Sequence, residues 1–119
     1  MLHALCDALL GAAGLGDIGE LFPDTDPAWC DADSRTFVAE VLRRVRAAGF
    51  TVCNLDLIIH AERPSLGPHK ATIRTAVAGL LQLSPEAVNV KATTAEGLDA
   101  VGRGQAIACW AAVLLAGPQ

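Results

Sequence analysis

The sequence predicts a layered α/β sandwich that forms a single domain over residues 1–119, with helices on one face of a mixed sheet. The length of 119 residues suits one domain. Hydrophobic residues make up 52% of the chain and charged residues only 18%, a balance typical of a packed core and not of disorder. Segments with helical periodicity alternate with segments of strand periodicity in the order helix, helix, strand, helix, strand, strand. This order is typical of ferredoxin-like folds.

Two helices separated by a long loop are predicted in the first half of the chain. Residues 2–13 repeat apolar side chains at the helical period and end at a pair of glycines. Residues 15–33 form a loop rich in Asp, Gly and Pro, and loops of this length are often functional. We expect Ser34 to cap the second helix, which runs to about Ala48.

The second half of the chain predicts three strands and one helix. Alternating apolar residues indicate strands over residues 50–61 and 88–92, and helical spacing indicates a helix over residues 69–83. The last strand, residues 105–116, is apolar on both faces. Such a pattern predicts a central strand that helices cover.

Charge and apolar run length argue against two classes of partner. A net charge of −4 and the absence of Tyr disfavour nucleic-acid binding. The longest apolar run, residues 106–116, is shorter than the roughly 20 residues that span a membrane. No secretory signal is recognisable, and the four cysteines form no closely spaced pair. We therefore expect a cytoplasmic protein with reduced cysteines.

The first helix carries a candidate metal ligand. His3 and Asp7 are four residues apart and project from one helix face. A helical histidine can ligate a metal while a carboxylate orients its ring. The alternative is a partly exposed histidine beside a solvated carboxylate.

Two loops carry residues suited to a small ligand. The carboxylates of residues 17–26 can accept hydrogen bonds from a polyol or hold a divalent cation. The same residue types favour turns whatever the function, and on spacing alone the turn is favoured. Residues 61–67 form a proline-broken loop directly after a strand, where backbone groups commonly bind small ligands.

A third candidate binding site lies at and after the end of the strand predicted at residues 88–92. Thr93 and Glu96 match a capping box, which is structural by itself. A helix N-terminus also presents N–H groups to anions, and Lys91, Thr94 and Arg103 add groups suited to phosphate. Glu96 then permits a Mg²⁺ ion that bridges to the phosphate. The alternative is a capped turn with a surface arginine.

In this order, the motifs resemble the 2-C-methyl-D-erythritol 2,4-cyclodiphosphate synthase family of the non-mevalonate isoprenoid pathway. The resemblance covers essentially the whole chain and is carried by residues 3–13, 16–19, 21–27, 90–96 and 102–104. It implies a lyase that cyclises 4-diphosphocytidyl-2-C-methyl-D-erythritol 2-phosphate to 2-C-methyl-D-erythritol 2,4-cyclodiphosphate and releases CMP. It also implies a homotrimer with active sites between subunits, each with a zinc-class ion and a Mg²⁺ or Mn²⁺ ion on the diphosphate.

The resemblance implies a role for each matching position. His3 matches a zinc ligand, Glu96 lies near the Mg²⁺ ion, and Thr94 takes the position that stabilises the transition state. The methylerythritol phosphate segment comprises Asp17, Ile18, Gly19, Phe22, Pro23, Asp24, Thr25 and Asp26. The cytosine segment comprises Ala61, Glu62, Arg63, Pro64, Ser65, Leu66 and Gly67. The diphosphate turn comprises Thr93, Thr94, Ala95 and Glu96, followed by the substrate-binding positions Ala100 and Arg103.

The sequence also departs from the family pattern. The family's first strand carries an Asp-x-His motif with two zinc ligands, and a His-Ser-Asp-Gly-Asp loop follows; neither stands before His3. We therefore expect the C-terminal three quarters of the family domain, without the N-terminal strands and with an incomplete zinc site. Ala100 and Trp110 stand where the family has an aromatic residue and a Glu, and Ser65 replaces a common Lys.

These departures leave two functional hypotheses. The first is a shortened synthase whose turnover is weak or absent in the chain as written. The alternative is a non-catalytic trimeric relative that binds a nucleotide or an isoprenoid without the zinc site.

Overall fold

The computed structural model describes residues 2–23, 33–60, 67–93 and 108–117. The helices within these ranges are α1 (Leu2–Ala13), α2 (Ile18–Leu21), α3 (Ser34–Ala47) and α4 (Lys70–Leu81). The strands are β1 (Thr51–His60), β2 (Val88–Thr93) and β3 (Ala108–Ala116), and short 3-10 turns cover Gly67–His69 and Pro85–Ala87. None of the helices within these ranges has the length and apolar character of a membrane-spanning segment.

The three strands form one mixed sheet in the order β2-β1-β3. Strand β1 pairs with β2 in parallel and with β3 in the antiparallel direction. Parallel pairing brings the carboxyl ends of β1 and β2 together, so His60 lies opposite Thr93. In the sequence, the predicted cytosine segment follows His60, and the predicted diphosphate turn begins at Thr93.

Helices pack on one face of the sheet, as predicted. That face presents Leu55, Leu57 and Ile59 of β1, all buried. The buried helix residues recur at the helical period: Leu5, Cys6, Leu9 and Leu10 in α1; Val38, Val41, Leu42 and Val45 in α3; Val77, Ala78 and Leu81 in α4. All of these side chains belong to one hydrophobic cluster, so the described residues share a single core.

Part of the segment predicted as a loop is helical. Within residues 15–33, α2 forms a single turn that Asp17 caps, its carboxylate accepting a 2.8 Å hydrogen bond from the Glu20 N–H. Gly16 turns the chain from α1 into this cap with a φ of +92°, a conformation that glycine adopts without steric cost. A helix of four residues has too few apolar positions to show a period, so periodicity could not reveal it.

Asp33, and not the expected Ser34, caps α3. The Asp33 backbone is extended, and its carboxylate accepts a 2.8 Å hydrogen bond from the Arg35 N–H. Ser34 is the first helical residue. Both residue types are good N-caps, and the backbone conformation decides which of two neighbours takes the position.

The prediction that the last strand is central is wrong for the sheet that the structure describes. Strand β3 lies at its edge, beyond β1. Cys109, Ala111, Val113 and Leu115 pack against the core, whereas Trp110 and Leu114 are 56% and 57% exposed. Apolar side chains on both faces of a strand do not show whether another element of the same chain covers each face.

Candidate functional site

A row of side chains runs from His3 to Phe22. The His3 ring meets Phe37 of α3 edge-on, with 6.1 Å between ring centroids and 86° between ring planes. Phe37 meets Phe22 at 5.1 Å and 66°, again in the edge-to-face arrangement that aromatic pairs favour. The Arg44 guanidinium carbon lies 5.3 Å from the Phe22 ring centroid, within cation–π range. The predicted zinc ligand and the predicted methylerythritol segment therefore share Phe37 as a neighbour.

Asp7 contacts the start of α2. Its carboxylate oxygen Oδ1 accepts a 2.9 Å hydrogen bond from the Ile18 backbone N–H. Ile18 belongs to the predicted methylerythritol segment, so Asp7 joins α1 to that segment. The Asp7 carboxylate thus connects two parts of the backbone, and the hypothesis that it orients the His3 ring stays a prediction.

The described part of the methylerythritol segment is a capped turn that ends in a buried aromatic ring. Asp17 caps α2, and Ile18 and Gly19 are its first residues. Phe22 is only 5% exposed and belongs to the core, whereas Pro23 is exposed. The turn chemistry considered for this segment thus accounts for the observed hydrogen bond of Asp17.

A second set of contacts links all three strands at one end of the sheet. The Thr93 hydroxyl oxygen lies 3.0 Å from Nδ1 of His60. On the other side, the His60 ring meets Trp110 of β3 with 4.7 Å between centroids and 70° between planes. Thr93 is the described residue of the predicted diphosphate turn, so its side chain has a defined neighbour within the sheet.

Lys91 forms an ion pair with Asp56. Its Nζ atom lies 2.8 Å from Asp56 Oδ2, and Asn89 Nδ2 donates a 3.1 Å hydrogen bond to Oδ1 of the same carboxylate. The hydrogen bond from Lys91, followed by that from Asn89, holds the pKa of Asp56 below its usual value. The Lys91 ammonium group therefore already pairs with a carboxylate of β1, and the hypothesis that it supplies a phosphate with positive charge stays a prediction.

Many predicted site residues lie outside the described ranges. They are Asp24, Thr25, Asp26, Ala61, Glu62, Arg63, Pro64, Ser65, Leu66, Thr94, Ala95, Glu96, Ala100 and Arg103. Gly67 is the first residue of a 3-10 turn. The roles of all these residues stay predictions.

The described residues do not by themselves complete a zinc site. Within them, no group of three or more His, Cys, Asp or Glu side chains is placed to hold a metal ion. A catalytic zinc ion takes three protein ligands, and His3 supplies one of them at most. We therefore assign no step of the chemistry to zinc.

Sequence reasoning did not find the partners of His60. Alternation along the predicted strand 50–61 puts His60 and Asp56 on the same face, but this period does not show which strand lies alongside. Thr93 and Trp110 become neighbours only through the register of the two pairings. Phe37 lies in the helix predicted to begin at Ser34, but its position between His3 and Phe22 depends on how α1 and α3 pack.

The chain is similar to known proteins along nearly its whole length. A model described as the YgbB family matches residues 1–116. A protein of Cronobacter sakazakii named 2-C-methyl-D-erythritol 2,4-cyclodiphosphate synthase is 54% identical over 114 residues, which cover 96% of this chain and 72% of that protein.

Solved structures of proteins with similar sequences have the same fold as this chain. The bifunctional IspDF of Campylobacter jejuni superimposes with a TM-score of 0.90 at 42% identity, over 96% of this chain and 31% of that longer one. A 2C-methyl-D-erythritol-2,4-cyclodiphosphate synthase in its CDP-bound form gives a TM-score of 0.89 at 40% identity, over 97% of this chain and 74% of that one.

Proposed function

Since the chain belongs to the YgbB family, whose named relatives are 2-C-methyl-D-erythritol 2,4-cyclodiphosphate synthases, we propose that it cyclises 4-diphosphocytidyl-2-C-methyl-D-erythritol 2-phosphate. An oxygen of the 2-phosphate attacks the β-phosphorus of the diphosphate. The bond from that phosphorus to the oxygen bridging it to CMP breaks, and CMP leaves with the oxygen. The products are 2-C-methyl-D-erythritol 2,4-cyclodiphosphate and CMP, and no water or redox partner is consumed.

One observation carries the proposal. Identity of 54% extends over 96% of the chain, so it includes both the helical segments and the strand ends that frame the predicted substrate positions. The contacts among His3, Phe37 and Phe22 support it, because they join a predicted metal ligand to a predicted substrate segment. The CDP-bound state of a similar structure supports a cytidine diphosphate group as part of the ligand.

Phosphoryl transfer requires alignment and charge neutralisation more than covalent help from the protein. We assign alignment of the methylerythritol end to the Asp7-tethered turn of α2 and to Phe22. Thr94 and Arg103 are proposed to contact the diphosphate, and Glu96 to face a Mg²⁺ or Mn²⁺ ion bound to it. When bound, such an ion neutralises the charge of the diphosphate oxygens.

Self-association is proposed because the outer face of the sheet is apolar near β3, and the resemblance to the family makes a homotrimer the proposed assembly. Trp110 and Leu114 are more than half exposed there, beside Ile58 of β1. An apolar patch of this kind marks a surface for another protein chain, and a second copy of this chain is the proposed occupant. Leu114→Glu should then lower the mass measured by sedimentation velocity, whereas Ala76→Glu, on the exposed side of α4, should not.

The reaction is tested by incubating the protein with the diphosphocytidyl substrate, Mg²⁺ and Zn²⁺, and measuring both products by mass spectrometry. We expect slow turnover, as predicted for the chain as written, with CMP and the cyclodiphosphate formed in equal amounts. Thr94→Ala should lower the rate roughly a hundredfold, the usual cost of losing a group that stabilises the transition state. Thr75→Ala is the matched control, because the Thr75 hydroxyl donates its hydrogen bond to the Ala71 carbonyl within α4.

Two outcomes would contradict the proposal. Binding of CDP without CMP release identifies a non-catalytic nucleotide-binding relative. If the protein does not bind CDP in the presence of Mg²⁺, the proposed substrate cannot contain a cytidine diphosphate group.

A further inference from the structure

His60 occupies a position that joins three strands. It is the last residue of β1, and parallel pairing places it opposite Thr93, the last residue of β2. Its Nδ1 atom lies 3.0 Å from the Thr93 hydroxyl oxygen, while its ring meets the Trp110 ring at 4.7 Å. The imidazole therefore has a polar neighbour on one strand and an aromatic neighbour on another.

These contacts restrict the Thr93 side chain. A threonine side chain has three staggered rotamers, and a hydrogen bond to a fixed partner selects among them. Trp110 limits the imidazole in turn, because the edge-to-face arrangement has a preferred geometry. The hydrogen bond between His60 and Thr93 can form with either histidine tautomer, because the threonine hydroxyl can both donate and accept.

We propose that His60 is a positioning residue that sets the orientation of the Thr93 hydroxyl and thereby the affinity of this chain for a cytidine diphosphate ligand. This inference rests on the proposed function, in which Thr93 begins the diphosphate turn. His60 acts through Thr93 and does not itself touch the ligand.

The same two strands offer an internal comparison. Asp56 of β1 also reaches β2, where it binds Lys91 and Asn89. This link lies four residues before His60, away from the strand ends. If cross-strand links act only by stabilising the sheet, loss of either link has the same effect on ligand affinity.

The experiment measures CDP affinity by calorimetry in the presence of Mg²⁺ for the full chain and its variants. His60→Leu keeps most of the volume and removes the hydrogen bond. If Thr93 then spreads over its three rotamers, about a third of the molecules hold the competent one, so we expect affinity to fall about threefold. His60→Asn retains a polar group near the position of Nδ1 and should stay within about twofold of the parent. Asp56→Ala should also stay within about twofold.

A double-mutant cycle tests whether His60 acts through Thr93. In a Thr93→Val background, His60→Leu should cause no further loss of CDP affinity. An equal loss in both backgrounds would overturn the inference, as would an Asp56→Ala effect as large as that of His60→Leu.

A second readout separates this inference from the proposed function. Three-bond NMR couplings of Thr93 report its χ1 rotamer without any ligand. We expect one rotamer in the parent, in His60→Asn and in Asp56→Ala, and an averaged set in His60→Leu. If the parent does not bind CDP, the proposed function and the dependent affinity claim are wrong, while the couplings still decide whether His60 positions Thr93. Unchanged couplings in His60→Leu would refute the positioning itself.

Discussion

The Asp7 carboxylate accepts a 2.9 Å hydrogen bond from the backbone N–H of Ile18, eleven residues further along the chain. Helix α2 has only four residues, and a helix this short is unstable without outside contacts. Asp7 therefore supports the turn that precedes Phe22.

Removal of this contact should loosen the predicted methylerythritol segment. For Asp7→Ala we expect a loss of about 1 kcal/mol in the free energy of unfolding, measured by urea denaturation. The KM for the proposed substrate should rise several-fold. Asp7→Asn keeps an oxygen that can accept the Ile18 N–H, so its effect should be much smaller. Equal effects of the two substitutions would show that charge, and not this hydrogen bond, is the important property.

Two glycines close in sequence should respond to alanine in opposite ways. Gly16 has a φ of +92°, and an added Cβ would meet the Glu20 carboxylate, so Gly16→Ala should destabilise the protein by about 1 kcal/mol or more. Gly11 lies inside α1, and nothing lies within 4 Å of an added Cβ. Gly11→Ala should therefore stabilise the protein by roughly 0.5–1 kcal/mol. Thermal unfolding of both variants tests the pair, and a shift of the same sign in both would contradict it.

Glu40 makes stability depend on pH in the acid range. Hydrogen bonds from Arg43, and then from Arg44, lower the pKa of Glu40 from 4.5 to about 2. A lowered folded-state pKa means that the ionised carboxylate stabilises the protein above pH 4.5 and that this contribution disappears as the pH falls through about 2. Glu40→Gln should thus cost roughly 0.5 kcal/mol at neutral pH, because the ion pairs are near the surface.

Urea unfolding at neutral pH and near pH 2 measures this contribution. The difference in the free energy of unfolding between the parent and Glu40→Gln should vanish near pH 2. Replacement of both Arg43 and Arg44 by Gln should remove the pH dependence of the difference. A difference that persists unchanged near pH 2 would show that the two arginines do not lower the Glu40 pKa.

Cys6 should be unreactive in the folded protein. Its side chain is buried in the core, and burial, with a smaller effect of Asp7, raises its pKa to about 11. Because the thiolate is the nucleophile, alkylation near pH 8 should be at least about a hundredfold slower at Cys6 than at the exposed Cys53. Peptide mapping after alkylation measures both rates. In denaturant the two rates should converge, and similar rates in the native protein would contradict the buried position of Cys6.

The helices and strands of the core were largely predictable from local patterns. The period of apolar residues located α1, α3, α4, β1 and β2, because each of these elements buries one face against a single core. Boundaries were less predictable where two neighbouring residues could serve the same purpose. Asp33 and Ser34 can both cap a helix, and the path of the chain into α3 selected Asp33.

The sequence indicates the motifs of the candidate site but not the contacts between them. The segments around His3, residues 17–23 and Thr93 were identified from residue types and their order. That Phe37 lies between His3 and Phe22 depends on the packing of α1 against α3. That Lys91 forms an ion pair with Asp56 depends on the pairing of β1 with β2.

The sequence by itself determined the periodic elements, the single core and the order of the family motifs, because hydrophobic period and turn chemistry act over a few residues. The tertiary structure decided the strand order, the edge position of β3 and the meeting of His60 with Thr93 and Trp110. Strand register joins residues that lie more than thirty positions apart, as His60 and Thr93 do. A periodic pattern within one strand does not specify which distant strand pairs with it, because any strand with a similar apolar face could pack there equally well.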